Sequence, residues 1–259
     1  MIGKIIVDGF KFGFSLRRML PYVFMNLLLL YTVCDMLGRI GTMEITEEAI
    51  KSIAPLYGIY LLVFLFYGIS QPLFIGVMLH QAKNFSKKIP LKKSFKFSFS
   101  VFLKSFLIFL LLSFIYFLMG FLPFWLSLVL ILIFTLASVY IYPAAIIDKK
   151  KITEAFLKSF SIFLRNPFRT FIVCFTVFLV GIVLILISFF PMIFWLGGNL
   201  YSISQQTQDL DVLANYLARL LTSPTIIPFL LIPSFAIAFV SVMKIGMIAR
   251  LYVVMKKKA

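Results

Sequence analysis

The chain has 259 residues, of which 62% are hydrophobic and 13% are charged, and its mean hydropathy is +1.07. A soluble domain of this size could not bury so much apolar surface in one core, so the composition excludes an ordinary soluble protein. The net charge of +16 does not indicate nucleic-acid binding, because the Lys and Arg residues lie between long apolar runs rather than on one face of a soluble module. Basic segments in such positions are typical of membrane proteins, where they face phospholipid headgroups.

Six apolar runs are long enough to cross a membrane, which takes about 20 residues of helix. The sequence therefore predicts an all-α, single polytopic membrane domain over residues 1–259. Its six predicted spans are residues 21–38, 54–80, 99–120, 122–147, 171–197 and 224–254. If residues 99–147 formed one helix, it would be about twice as long as the bilayer is thick. We therefore expect a tight hairpin at the Gly120–Pro123 break.

The positions of the basic residues predict the orientation of these spans. By the positive-inside rule, we predict that both termini are cytoplasmic, together with the segments that hold 22 of the 25 Lys and Arg residues. The predicted outer loops hold the remaining basic residues and two acidic clusters: Arg39, Lys51, Arg219, Glu44/Glu47/Glu48 and Asp209/Asp211. We therefore predict a multi-pass protein of the cell membrane.

A hexapeptide rich in Phe and Ser occurs three times, each time just before an odd-numbered span. The copies are FKFGFS at 10–15, FKFSFS at 95–100 and FLKSFS at 156–161. Two spans follow each copy, and the second of each pair contains a proline: Pro72, Pro143 or Pro233. This pattern predicts three repeat units, 1–80, 90–147 and 152–254, each with a basic amphipathic helix followed by a helical hairpin.

The segments before the odd-numbered spans are predicted to lie in the membrane interface, with Phe residues in the acyl chains and basic residues at the headgroups. In the third segment, Thr153 is the predicted N-cap and Glu154 is predicted to pair with Lys158. These helices either recognise anionic lipid or a cytoplasmic protein partner, or they brace the bundle. The candidate contacts to anionic headgroups or a partner are Lys11, Arg17, Arg18, Lys92, Lys96, Lys158 and Arg165.

Neutral polar residues and prolines interrupt the even-numbered spans. Proline frees a backbone carbonyl that lipid cannot satisfy, so we expect these breaks to face the bundle interior, either as ordinary kinks or as the lining of a cavity. The candidate cavity-lining residues are Ser70, Gln71, Pro72, Ser138, Tyr142, Pro143 and Pro233. No ionisable residue falls clearly at a predicted midplane, which disfavours an ion-coupled transporter.

The sequence contains no spacing typical of an active site, a metal site or a cofactor site. One histidine, His80, and two cysteines, Cys34 and Cys174, form no catalytic or metal-binding motif. We predict a protein without catalytic activity, metal or cofactor. It organises lipid or a partner complex, and its partners are membrane lipids with anionic headgroups and a protein or a second copy of the chain, not nucleic acid. A permease for a small apolar or amphiphilic molecule is the alternative.

The segment between the fifth and sixth spans predicts a short helix. Leu210, Leu213 and Leu217 follow helical spacing, and Asp209 is a suitable N-cap residue.

Residues 142–161, YPAAIIDKKKITEAFLKSFS, followed by Arg165-Asn166-Pro167, carry a family resemblance. The stretch resembles the region between spans four and five in the loose group of six-helix membrane proteins around the glycerophosphodiester phosphodiesterase membrane domain, which includes the YciC-like proteins. The shared features are a proline late in span four, a charged turn and a helix with Ala155 and Ser159. The resemblance implies architecture only, because this chain has no phosphodiesterase catalytic domain.

Overall fold

The protein is helical throughout the part that its computed structural model describes, residues 1–41, 47–83, 89–207 and 209–256, with residues 47–54 described by their backbone alone. The helices are α1 (Ile2–Gly13), α2 (Leu16–Gly41), α3 (Glu47–Lys83), α4 (Leu91–Met119), α5 (Phe124–Ser138), α6 (Ile141–Ile147), α7 (Ile152–Arg165), α8 (Pro167–Ser204), α9 (Leu210–Thr222) and α10 (Ile227–Met255). A 3₁₀ turn, Pro224–Ile226, precedes α10. Of the residues used to predict orientation, Glu44, Lys87, Lys88, Lys257 and Lys258 lie outside the described part.

Six helical segments among the described residues are long and apolar enough to cross a membrane. They are Leu16–Gly41, Pro55–Lys83, Leu91–Met119, Phe124–Ile147, Pro167–Ser204 and Pro224–Met255. Each coincides with one predicted span. Five extend it at one or both ends, and the fourth begins two residues later than predicted. The protein is therefore a multi-pass integral membrane protein, as the apolar runs predict.

The chain divides into two compact units. The first contains Met1–Met19, Ile69–Val180 and Phe239–Ala259, and the second contains Leu20–Gly68 and Gly181–Ala238. Large side chains fill the core of the first unit, with Met78, Ile141 and Tyr252 fully buried. The core of the second unit includes Ile226 and Leu230, which are also fully buried.

Proline positions explain two helix boundaries in the first unit. Pro123, with an extended backbone, precedes the first turn of α5, where a missing N–H costs nothing. Pro143 occupies the first turn of α6, so the helix that began at Phe124 stops at Ser138 and restarts at Ile141. By contrast, α3 continues through Pro72, and α10 continues through Pro233.

In the second unit, α9 confirms the predicted short helix. Asp209 is its N-cap, and the carboxylate accepts a hydrogen bond from the Asp211 backbone N–H at 2.9 Å. The α2 segment of this unit carries an ion pair between the largely buried Asp35 and the exposed Arg39 at 3.0 Å, and the Tyr60 hydroxyl also donates to Asp35.

The structure differs from the sequence-based predictions around the hexapeptide copies. The predicted interfacial segment before the third span, which contains the second hexapeptide copy, does not form a separate helix, because α4 runs without interruption from Leu91 to Met119. The predicted N-cap Thr153 is wrong: α7 begins at Ile152, and Lys151 is the N-cap, without a side-chain bond. The predicted Glu154–Lys158 pair is also wrong, since Glu154 pairs with Lys150 at 3.2 Å while Lys158 pairs with Asp148.

Candidate functional site: a basic cluster in the first unit

Two small residues, four positions apart, are buried at each hexapeptide copy: the fourth residue of the copy and the residue just before the copy. The pairs are Gly9 and Gly13 in α1, Ser94 and Ser98 in α4, and Ala155 and Ser159 in α7. Small residues at this spacing allow two helix backbones to approach closely. The small face of each segment therefore packs in the protein, while several neighbouring Phe side chains stay partly or fully exposed.

Two of these buried residues make equivalent hydrogen bonds, each from a serine hydroxyl to a backbone carbonyl of another helix. Ser98 Oγ donates to the Leu73 carbonyl of α3 at 2.5 Å, and Ser159 Oγ donates to the Ala137 carbonyl of α5 at 2.5 Å. Both serines are the fourth residue of their hexapeptide, and both acceptors lie in the even-numbered span that precedes the copy.

The first copy has glycine at that position, and it packs on the sixth span. A Cβ placed on Gly13 would lie 2.9 Å from the Phe239 ring and 3.1 Å from Met243 Cβ in α10. The first copy therefore packs against side chains of α10, and Gly13 leaves no room there for a side chain of its own.

A cluster around Asp148 connects three helices of the first unit. Asp148, in the turn after α6, accepts from Lys256 Nζ at 2.6 Å, from the Tyr252 hydroxyl at 2.6 Å and from Lys158 Nζ at 3.0 Å. Only 14% of its side chain is exposed. Burial by itself would raise the pKa of this carboxyl, but the hydrogen bonds from Lys256, Tyr252 and Lys158 outweigh it and lower the pKa to about 2.

The first unit is strongly basic beyond this cluster. Its described part contains 18 Lys and Arg residues but only three acidic residues, Asp8, Asp148 and Glu154. All three acids are already in ion pairs: Asp8 with Arg250, Glu154 with Lys150, and Asp148 with Lys158 and Lys256. Most of the positive charge of this unit is therefore not neutralised by its own carboxylates.

The predicted headgroup or partner contacts fall into two groups. Lys158 and Arg18 are half-buried: Lys158 binds Asp148, and Arg18 donates to Gln81 Oε1 at 2.7 Å while its guanidinium lies 3.9 Å from the centre of the Phe12 ring. Five are exposed on α1, α2, α4 and α7: Lys11, Arg17, Lys92, Lys96 and Arg165.

The predicted cavity-lining residues are mostly packed. Ser70 and Pro72 are buried in α3, Ser138 and Pro143 are buried at the α5–α6 break, and Pro233 is buried in the second unit. Two of the seven are half-buried, Gln71 and Tyr142.

Sequence reasoning missed a polar group inside the spans of the second unit. Asn26, 2% exposed in α2, donates to the Ser234 carbonyl at 3.4 Å and accepts from the Tyr67 hydroxyl at 3.3 Å. A lone Asn in an apolar span is the signal that could have found it, because such residues hydrogen-bond across helices. Its partners could not be read from the sequence.

Searches against protein-family models, curated proteins and solved structures found no match to this chain.

Proposed function

We propose that this integral membrane protein has no catalytic activity and that it organises anionic lipid, or a partner complex, at the basic surface of its first unit. The unneutralised charge of that unit carries the proposal: 18 basic residues against three acids, all three of which are paired. Basic residues beside membrane spans attract anionic headgroups, each with about 1 kcal/mol when near the surface.

The packing of the polar and proline residues in the spans supports this function over a permease. The hydroxyl groups of Ser98 and Ser159 donate hydrogen bonds to backbone carbonyls of neighbouring helices. Ser70, Pro72, Ser138 and Pro143 are buried. These residues brace helices, and a substrate path would instead need them to face open volume.

We also propose a cytoplasmic location for both termini and for the basic ends of the spans, in the cell membrane. The uneven distribution of Lys and Arg supports this orientation. The described part of the first unit holds 18 basic residues, and that of the second unit holds three. The positive-inside rule concerns these residues rather than the net charge.

Three hairpin units, each introduced by a hexapeptide copy, complete the proposal. The matching bonds of Ser98 and Ser159, and the close packing of Gly13 at the corresponding position, support it. The resemblance to the six-helix group around the glycerophosphodiester phosphodiesterase membrane domain remains a prediction about architecture.

Lipid selectivity tests the proposed function. The full chain is purified in detergent with equal amounts of phosphatidylglycerol and phosphatidylcholine, and native mass spectrometry measures which lipid stays bound and whether a protein subunit co-purifies from cells. We expect enrichment of phosphatidylglycerol or a stoichiometric partner. Equal retention of the two lipids without a partner would contradict the proposal.

A further inference from the structure

A cleft of about 340 Å³ opens in the first unit between the last turn of α3, the beginning of α4 and the turn after α6. Its described lining combines two lysines and one histidine with four apolar residues, and none of these residues is acidic. We propose that this cleft binds the phosphate of an anionic phospholipid headgroup. The inference rests on the proposed function and gives it a specific site.

Two lysines supply the positive charge. Lys83 Nζ donates to the Ile147 carbonyl at 3.4 Å, which holds the ammonium group beside the turn after α6. An ammonium group has three N–H donors, so this bond leaves donors for a phosphate oxygen. Lys149, which also lines the cleft, is exposed and has a φ of 56°, a left-handed conformation that residues with a Cβ seldom adopt.

His80 provides a third polar group with a fixed ring. Its Nδ1 lies 3.2 Å from Ser94 Oγ, and its ring stacks on Phe97 with the ring centres 4.3 Å apart. When the Ser94 hydroxyl donates to Nδ1, the proton of a neutral imidazole is on Nε2. His80 can then donate through Nε2 to a phosphate oxygen.

The acid next to Lys149 in the chain does not compete with a phosphate for these lysines. Asp148 lies between Ile147 and Lys149 in the chain, but Lys256, Tyr252 and Lys158 already surround its carboxylate. An anion in the cleft therefore meets cations without a neighbouring free carboxylate. Lysine ammonium groups commonly bind phosphate in this way, as point charges.

The position and the apolar walls favour a lipid phosphate over a free phosphate ion. Lys83 and Ile147 end two candidate spans, the depth at which headgroups lie in a bilayer. Phe97 and Ile147 give the cleft an apolar side suited to the glycerol and upper acyl part of an amphiphile. Its volume lies at the lower end of the range for small-molecule sites, about 300 to 1,000 Å³.

The test compares two variants that lose the same charge. Lys83→Gln/Lys149→Gln removes both cleft lysines, and Lys4→Gln/Lys93→Gln removes two exposed lysines outside the cleft. Binding of phosphatidylglycerol to the full chain in detergent is titrated by native mass spectrometry, with phosphatidylcholine as the neutral lipid. We expect the tightest phosphatidylglycerol site to weaken roughly tenfold or more in the cleft variant alone, and Lys83→Arg/Lys149→Arg to retain it.

Every other outcome overturns the inference in a distinguishable way. If phosphatidylglycerol binding weakens equally in both double Gln variants, the lipid is attracted by the general positive charge of the surface rather than by the cleft. If binding is unchanged in both double Gln variants and the unmodified protein still prefers phosphatidylglycerol, the cleft is not the binding site but the proposed function stands. No lipid preference in the unmodified protein contradicts the cleft, and it also contradicts the proposed function when no protein partner co-purifies.

Two further measurements keep the test decisive. Displacement of phosphatidylglycerol by millimolar inorganic phosphate would assign the cleft to the free ion and overturn its assignment to a lipid. If Lys83→Gln prevents folding, the single variants Lys149→Gln and Lys93→Gln are compared instead. Both change an exposed side chain.

Discussion

The hydroxyl group of Ser159 lies 3.1 Å from the backbone nitrogen of Tyr140 and accepts its hydrogen bond where α5 gives way to α6. The same hydroxyl donates to the Ala137 carbonyl. Because α5 ends at Ser138 and α6 begins at Ile141, backbone groups at the break need other partners in a segment that spans the membrane. A single serine from α7 therefore satisfies both a donor and an acceptor at the break.

Ser159→Ala should destabilise the protein by about 1–3 kcal/mol, because it leaves a buried N–H and a buried carbonyl without this partner. Ser161→Ala is the matched control, since Ser161 lies two residues along the same helix and is half-buried. Unfolding in detergent, followed by circular dichroism, measures both variants. Equal stability of the two would show that the α5–α6 break does not depend on Ser159.

Glycine in α1 gives a prediction in which one substitution has opposite effects at two positions. Gly9→Ala should destabilise by about 1–3 kcal/mol, because the new Cβ would overlap the Met247 side chain in α10. Gly3→Ala should be neutral or stabilise by up to about 1 kcal/mol, since nothing lies within 4 Å of a Cβ there and alanine favours helix. The difference between the two unfolding free energies checks the α1–α10 contact. Two variants of the same stability would argue against it.

The sequence predicts the six spans and α9 well because apolar length and a capping Asp are local signals. It predicts the side-chain pairing around α7 poorly because tertiary contacts compete with local ones. Glu154 and Lys158 have the right spacing to pair, yet Asp148, also bound by Lys256 and Tyr252, takes Lys158 instead.

The buried faces of the hexapeptide segments show a second limit. Phenylalanine stripes dominate the pattern of α4 and α7, but lipid can cover Phe as well as protein can. The less conspicuous small residues, such as Ser94 and Ser98, are the ones that are buried. Their four-residue spacing was present in the sequence, whereas the cleft at His80 depends on three separate segments and could not be predicted.

Asp148→Asn should destabilise the protein at neutral pH by roughly 2 kcal/mol. The carboxylate has a folded-state pKa of about 2, below an unfolded-state value of about 3.9, so the charged form is stabilised in the folded protein. Glu154→Gln is the control, because Glu154 forms an exposed ion pair with Lys150 and such pairs contribute at most about 1 kcal/mol. A loss of stability no larger than that of the control would contradict the role of the Asp148 cluster.

The lowered pKa of Asp148 also predicts how the stability of the protein depends on pH. A lowered folded-state pKa contributes stability that is present above the unfolded-state value and is lost as the pH falls through the folded-state value. The stability difference between the unmodified protein and Asp148→Asn should therefore be constant above about pH 5 and shrink between about pH 4 and pH 2. Chemical unfolding at a series of pH values measures the difference. A gap that stayed constant down to pH 2 would show that ionisation of Asp148 is not the cause.

Thiol labelling in intact cells tests the proposed orientation. In a background with Cys34 and Cys174 replaced by alanine, a membrane-impermeant maleimide should label Asp211→Cys, near the start of α9, without lysis. Lys151→Cys, at the N-cap of α7, should react only after the membrane is opened, because the basic segments are predicted to be cytoplasmic. Both positions are exposed in the folded protein, so a difference in labelling reports the side of the membrane rather than burial. The reverse pattern would invert the topology, and it would place the basic surface of the first unit on the outer leaflet.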